Sequence, residues 1–412
     1  MKKNLYLIFP YRGTGGVSIL FKRAAEWLAD KDYSIKVIDY SDGFISKNVD
    51  NENIEIISYE DSLIEILDNS ICLMQLMTPW SIFKNINFKS DTKFFFWNCH
   101  PNNLIPSIPI FSNYFEQNLV FKKNFINSFL SKYQKNSKSF LELLLKNRSV
   151  AFMDDVNIKN TEFFLDINLK NVQKLPIPVI LDKKSINKNH DFKKTLRVTW
   201  VGRIEDFKTK SLEKVIGDLE NINQSLGTHI IFNLIGQGKD LNQIKNKTSL
   251  SSLDYRFFDY LEISQLKKFL KEETDLLFAM GTSALEGGNC SVPTIVLDIS
   301  HTKLTSNYNY KWLYEIDGYN LAEVVHKRFL GTGTHKIENV INEIFSNKDH
   351  IGELCKNYVE MNHDSESIFK NLELFLNDSS LRWDELVFSK VLESNLIYKI
   401  YKSHALRDLY VF

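Results

Sequence analysis

Two stretches of this 412-residue chain combine groups that bind anions with a group that binds a diol. The first is Gly202-Arg203-Ile-Glu-Asp-Phe-Lys208, a glycine followed by two cations. Two positive charges beside a departing phosphate stabilise the negative charge that grows as its bond breaks. The second is Gly281-Thr282-Ser283-Ala-Leu-Glu286. There the backbone N–H groups of Gly281, Thr282 and Ser283 open a helix, where unpaired amides and the helix dipole favour an anion. One turn further in, the Glu286 carboxylate accepts hydrogen bonds from a diol. An anion site beside a diol acceptor is what a nucleoside diphosphate requires. Plainer readings compete at both places. Ser283-Ala-Leu-Glu286 also fits a capping box, and Arg203 to Lys208 fits an exposed basic turn beside Glu205, Asp206 and Lys210. The pair Gly287-Gly288 costs a helix about 1 kcal/mol at each glycine, which points to a close approach on that face.

The elements that must position these groups follow from hydrophobic patterning. Leu276 to Met280 is a short apolar run suited to a buried parallel strand, and Pro293 leads into another at Thr294 to Leu297. Strand, glycine turn, helix and strand make a βαβ unit whose ligand face lies beyond the carboxyl end of the first strand. Val198 to Val201, Ile230 to Ile235 (ending in Gly236-Gln-Gly238) and Tyr255 to Phe258 read as further strands, with a helix from Leu212 on.

The amino-terminal half opens the same way. Leu5 to Phe9 reads as a strand, Tyr11 to Ser18 as a glycine-rich turn, Val17 to Ala29 as a helix, and Ile35 to Ile38 as a strand ending in Asp39. Gly13-x-Gly15 with Asp39 nearly matches a dinucleotide fingerprint, but Ser18 stands where the third glycine belongs. Further strands are expected at Ile54 to Ile57, Ile71 to Leu76, Phe94 to Trp97 and Val150 to Met153. The run at Phe94 delivers Asn98 and His100 to a loop at the ligand edge of the sheet, either for function or for a structural bond. Residues 120–148 are basic, and Phe121, Phe125 and Phe129 share one helical face. That face suits an anionic membrane surface or, alternatively, a buried stripe. Leu175 to Ile180 and the polar stretch from Asp182 to Thr195 read as an interdomain linker. From Lys336 the pattern is helical, with Ile337, Val340, Ile341 and Ile344 on one stripe. The tail gathers Trp383, Phe388, Tyr398, Tyr401, Tyr410 and Phe412, for packing back on the first domain or for an oligomer contact.

Leu285-Glu-Gly-Gly-Asn-Cys-Ser-Val-Pro-Thr-Ile295 resembles the Leu-Glu-Ala-Met-Ala-x-Gly-x-Pro-Val-Ile segment of GT-B fold glycosyltransferases, in particular the large retaining family 4. Met280-Gly-Thr-Ser-Ala-Leu-Glu286 is similar to a divergent branch found in bacterial surface-polysaccharide clusters. Gly202-Arg-Ile-Glu-Asp-Phe-Lys208 looks like the family's Gly-Arg-Leu-x-x-x-Lys. The resemblance implies an α/β fold of two doubly wound Rossmann-like domains facing a central cleft, with C-terminal helices crossing back to the first. Boundaries at 1–182, 183–365 and 366–412 are expected. It further implies that Glu286 holds the donor ribose, that Arg203 and Lys208 clamp the diphosphate, and that Gly15 and Gly16 admit donor phosphates and acceptor. His100 would lie near the sugar. The family's second Glu, eight residues before the first, is replaced by Phe278. The implied reaction moves a sugar from a UDP or GDP type nucleotide sugar to a hydroxyl of a glycan or lipid-linked acceptor, in O-antigen or capsule synthesis. It is expected to be retaining and to need neither metal nor cofactor: Asp154 and Asp155 are adjacent and not spaced as an Asp-x-Asp metal motif would be.

Bulk properties agree with a soluble globular protein of two domains. A chain of this length is long for one core; 43% of it is hydrophobic and 25% charged. Lys+Arg equals Asp+Glu at 51 each, so no overall field recruits nucleic acid. Cys72, Cys99, Cys290 and Cys355 are scattered, as for buried thiols in a reducing compartment. The first apolar run stops at Pro10 and reads as a strand instead of a signal peptide, and no stretch has the length of a membrane span. The expected location is the cytoplasm, or the cytosolic face of the inner membrane. Three rival readings stand: a GT-B nucleotide-sugar epimerase or hydrolase, an NAD-dependent oxidoreductase using Gly13 to Asp39, and a catalytically idle binding partner.

Overall fold

A computed structural model describes residues 2–13, 15–60, 62–83, 85–106, 118–182, 192–249, 251–325 and 331–393. They form two compact units. One holds the chain up to Pro178 together with the part from Glu366 on; the other is Val179–Ser365.

In the first unit the strands are β1 (Lys3–Ile8), β2 (Tyr33–Asp39), β3 (Ile54–Ser58), β4 (Ile64–Glu65), β5 (Ile71–Gln75), β6 (Ile86–Asn87), β7 (Lys93–Asn98), β8 (Val150–Phe152) and β9 (Gln173–Lys174). Seven of them make one sheet in the order β3-β2-β1-β5-β7-β8-β9, parallel throughout, while β4 and β6 pair apart from it. Its helices are α1 (Gly16–Ala29), α2 (Phe44–Asn48), α3 (Leu119–Phe129), α4 (Ser131–Lys146) and α5 (Asp155–Leu165). Side chains alternate across a strand, so β1 feeds two cores. Leu5 and Leu7 pack with Leu20, Phe21, Ala24 and Leu28 of α1. Tyr6 and Ile8 join Phe94, Phe96, Phe140 and Leu144 on the other face. Burial on both faces explains why these strands read as unbroken apolar runs.

The second unit contains β10 (Thr195–Val201), β11 (His229–Ile235), β12 (Asp254–Phe258), β13 (Leu276–Ala279), β14 (Thr294–Val296) and β15 (Lys311–Trp312). Their order is β12-β11-β10-β13-β14-β15, parallel except for the antiparallel edge strand β15. Its helices are α6 (Thr209–Leu226), α7 (Leu241–Thr248), α8 (Ile263–Glu273), α9 (Thr282–Asn289) and α10 (Ile337–His363). The stripe Ile337, Val340, Ile341 and Ile344 of α10 is buried. In each sheet the winding reverses once, between β1 and β5 and between β10 and β13. Ligands of doubly wound folds bind beyond the carboxyl ends of the strands at such a reversal.

The last described helices, α11 (Ser365–Asp378) and α12 (Trp383–Phe388), complete the first unit. Ile368, Phe369, Leu372 and Leu376 of α11 enter the α1 core, and Leu381 and Leu386 enter the opposite one. Trp383 packs on Phe88 at 4.8 Å, whereas Phe388 is 88% exposed. The other tail aromatics, Tyr398, Tyr401, Tyr410 and Phe412, and most of the Asp182 to Thr195 stretch lie outside the described residues. All four cysteines are buried free thiols. Among the described residues no helix is long and apolar enough to cross a membrane.

Candidate functional site

The second unit's reversal point carries both stretches singled out above. Val201 pairs with Ala279 at the carboxyl ends of β10 and β13, so Gly202 and Gly281 leave from neighbouring strands. Gly202 N donates to Ile235 O at 3.1 Å, and Ile204 N to Gln237 O at 2.9 Å. Gly236 and Gly238 make this approach feasible. Their φ values are +145° and +156°, and a Cβ would stand 2.0 Å from Gly202 O and 2.4 Å from Ile204 O. No other residue type fits either position.

The loop then turns through Asp206–Lys208 into α6. The two cations have different surroundings. Arg203 is exposed and pairs with Glu205 at 2.8 Å. Lys208 folds back until its Nζ lies 3.7 Å from the place a Cβ on Gly202 would take. Burial, and after it the charge of Arg203, push the Lys208 pKa down to about 8, against the pull of Glu205. The cations are therefore close enough to sense one another.

Beyond β13, Gly281 takes φ +57° and ψ −134° and serves as the N-cap of α9 with no side-chain cap. The helix starts at Thr282, which corrects the capping-box reading: Ser283 stands inside the first turn and not at the N-cap. Glu286 is 2% exposed. It forms an ion pair with Lys267 of α8 at 3.5 Å, while Arg203 and Lys208 stand in the loop that follows the next strand. The glycine pair has a packing origin rather than a ligand. A Cβ on Gly287 would lie 2.3 Å from Leu277 Cδ2, and one on Gly288 would lie 2.6 Å from Leu313 Cδ2 and 2.8 Å from Val359 Cγ2. Phe278 is fully buried in β13, edge-on to Tyr310 at 5.6 Å.

In the first unit, Gly15 is the N-cap of α1, with Gly16 its first residue. Ser18, at the third-glycine position, turns its hydroxyl back on the loop: Oγ donates to Gly15 O at 2.8 Å and accepts from Gly15 N at 3.0 Å. Asp39 is fully buried. Its Oδ1 accepts from Tyr11 N and Tyr40 N at 2.8 and 2.9 Å, and its Oδ2 from Ile45 N and Ser46 N at 2.9 and 3.1 Å. A carboxylate so engaged caps α2 and cannot also serve a ribose. The oxidoreductase reading loses its key ligand.

His100 sits past β7 with an edge open to solvent. Its backbone N donates to Asn103 Oδ1 at 2.9 Å, and its Nδ1 accepts from Asn102 N at 3.1 Å. Lys122 Nζ donates to Asn102 Oδ1 at 2.8 Å. The protein packed around the ring, and next the Lys122 charge, push the His100 pKa down to about 4. The ring is neutral near pH 7 and carries its hydrogen on Nε2. Lys122 is itself 4% exposed and Ile126 1%, while Val120 (63%), Phe121 (46%) and Phe129 (74%) face outward. Helix α3 thus turns a lysine inward and Phe121 and Phe129 outward, against the buried-stripe reading there, whereas α4 buries Tyr133, Phe140, Leu141 and Leu144 as that reading expects.

No protein-family model matches the chain, and no curated protein matches it either. Solved structures do. A glycosyltransferase from Rickettsia africae ESF-5 superposes with a TM-score of 0.57 at 14% identity, covering 92% of this chain and 98% of that one. WaaG, a glycosyltransferase involved in lipopolysaccharide biosynthesis, gives 0.51 at 14% identity, over 90% and 98%. AviGT4, a glycosyltransferase involved in avilamycin A biosynthesis, gives 0.50 at 10% identity, over 91% and 97%. The fold is GT-B. At such identities the fold is what is shared. Within this GT-B chain, three contributors escape a reading of the sequence: Lys267 beside Glu286, and Gly236 and Gly238 beneath the Gly202 loop. The Gly-Gln-Gly after β11 was the only visible sign of the last two. Lys267 gave no sign, because its partner lies on another helix.

Proposed function

We propose that the chain is a glycosyltransferase that moves a sugar from a UDP or GDP type nucleotide sugar to a hydroxyl of a glycan or lipid-linked acceptor. The observation that carries this reading is the reversal point of the second sheet. There a two-cation loop and an uncapped helix N-terminus leave neighbouring strand ends. In this proposal Arg203, Lys208 and the amides of Gly281, Thr282 and Ser283 take the diphosphate charge in place of a divalent ion. Glu286, steadied by Lys267, accepts from the ribose. Gly15, Gly16 and Gly202 let backbone approach. Neutral His100 donates from Nε2 to a sugar or acceptor hydroxyl. Donor binding is assigned to residues 183–365 and acceptor binding to 1–182, with 366–412 completing the latter. Retention of anomeric configuration and a role in surface-polysaccharide synthesis belong to the same proposal; the likeness to WaaG supports the latter. We place the chain against an anionic membrane through 120–148. The inner face of α3 reaches His100 through Lys122 and Asn102, which would bring a lipid-linked acceptor to the site.

A thermal-shift panel of UDP, GDP, ADP, CMP and NAD tests the reading. One nucleoside diphosphate should raise the melting temperature, with stabilisation of about 2.7 kcal/mol at a hundredfold excess over Kd. The gain should vanish in the Arg203→Ala/Lys208→Ala double variant. Stabilisation by NAD alone, or by none of the five, would refute it. Incubating the nucleotide sugar without acceptor then separates transfer from epimerisation or hydrolysis, because a transferase leaves most of the donor intact.

A further inference from the structure

Trp200 lies in β10, two residues before Gly202, and is 1% exposed. An indole N–H buried in a protein nearly always meets an acceptor, because leaving it unmade forfeits the hydration it had in water. Trp200 Nε1 meets none among the described residues. Phenylalanine would fill a core position without that cost, so the N–H itself needs an explanation.

The surroundings supply one. The point where a Cβ on Gly202 would stand is 3.6 Å from Trp200 Nε1 and 3.7 Å from Lys208 Nζ. The indole edge and the ammonium therefore flank a single gap, left open because residue 202 has no side chain. Both groups only donate hydrogen bonds. Two donors facing a common gap call for an acceptor, and a lysine held amid protein calls for an anionic one. Gly202 itself directly follows the last residue of β10, where the sheet reverses.

We propose that Trp200 is a further ligand of the donor's diphosphate, its indole N–H and the Lys208 ammonium closing on anionic oxygen over Gly202. This rests on the glycosyl-transfer reading of the site. As the bond from the sugar to the phosphate oxygen breaks, its electron pair stays on that oxygen. A charge-assisted bond from the indole then strengthens along with the lysine's. The substrate class so recognised is the diphosphate; base and sugar lie beyond the reach of this residue.

The full-length protein, labelled with 15N at its tryptophan indoles, reads this directly. The Trp200 signal is identified by its loss in Trp200→Phe and followed during titration with UDP, GDP, uridine and inorganic pyrophosphate. The indole proton should move downfield with UDP or GDP and with pyrophosphate, and stay in place with uridine. Trp200→Phe and Gly202→Ala should each weaken the stabilising nucleotide about tenfold, roughly 1.4 kcal/mol. If Trp200→Phe does not fold, Gly202→Ala carries the affinity measurement and marks the signal by perturbing it; its added methyl meets only ordinary contacts. A nucleotide that stabilises the protein while the Trp200 signal stays still and affinity is unchanged overturns this role and leaves glycosyl transfer standing. If no nucleoside diphosphate raises the melting temperature, the reading of the whole site fails, and this role with it.

Discussion

Lys208 shows what a cation turned inward costs at the scale of one residue. An ordinary lysine titrates at 10.5, and Lys208 at about 8. Between those values the unfolded chain holds a proton that the folded one has released, so this group makes stability rise with pH across the window. Below about pH 8 the folded protein carries the charge at a disadvantage. Lys208→Met should therefore raise the melting temperature at pH 7, and the gain should shrink as pH passes 10. The same variant should lose nucleotide binding. Melting curves at both pH values, with and without UDP or GDP, check both halves; a variant less stable at pH 7 would contradict the account. Sequence reasoning could pair Arg203 with Lys208 from their spacing after a glycine. It could not tell that one would be exposed and paired with Glu205 while the other turned inward, because that depends on where the loop folds. Asp39 carried a false signal for a related reason. Its place at the end of β2 suits a ribose ligand, but the local chain turns four backbone N–H groups onto it.

Among the elements, glycines carried the signal that was hardest to interpret. Gly287 and Gly288 did mark a close approach, and the approaching groups are Leu277, Leu313 and Val359 from the unit's own core. A sequence shows that room is needed, never what fills it. Gly236 is the opposite case, visible in the sequence only as the end of a strand and indispensable to the loop that holds Arg203. Gly236→Ala should cost about 1–3 kcal/mol through backbone collision and weaken nucleotide binding as well. Gly217, inside α6 with open space for 4 Å around the point where a Cβ would stand, is the control. Gly217→Ala should stabilise by about 0.5–1 kcal/mol and leave binding unchanged. Chemical denaturation of both variants distinguishes these outcomes. The strands were the most legible elements, since burial on both faces writes them as apolar runs. Short pieces such as β9 and β15 left no such mark, being held by neighbours instead of by their own pattern.

At the scale of the whole molecule, the alternation of strand and helix made both doubly wound units readable. The face of α3 could not be read, because a segment with both lysines and aromatics can turn either set inward. Its outward Val120 and Phe129 lead to a test of membrane attachment. The protein should co-sediment with vesicles containing anionic lipid and not with neutral ones. Val120→Glu/Phe129→Glu should reduce that binding severalfold with little effect on nucleotide affinity. Equal binding to both vesicle types would remove the membrane from the proposal.

The first unit is built from two separated pieces of chain, and this bears on how the protein is made. The outgoing and returning connections run side by side, with Val179 N donating to His363 O at 2.7 Å and Ser365 N to Val179 O at 3.0 Å. On the ribosome, residues up to Pro178 emerge first yet lack Ile368, Phe369, Leu372 and Leu376, which seal one side of their sheet. The inserted unit, though translated later, has all its strands before the first can close. The second unit is thus complete in sequence before the first, and a nascent chain stalled before Ser365 would present a bare apolar surface to the cell's chaperones.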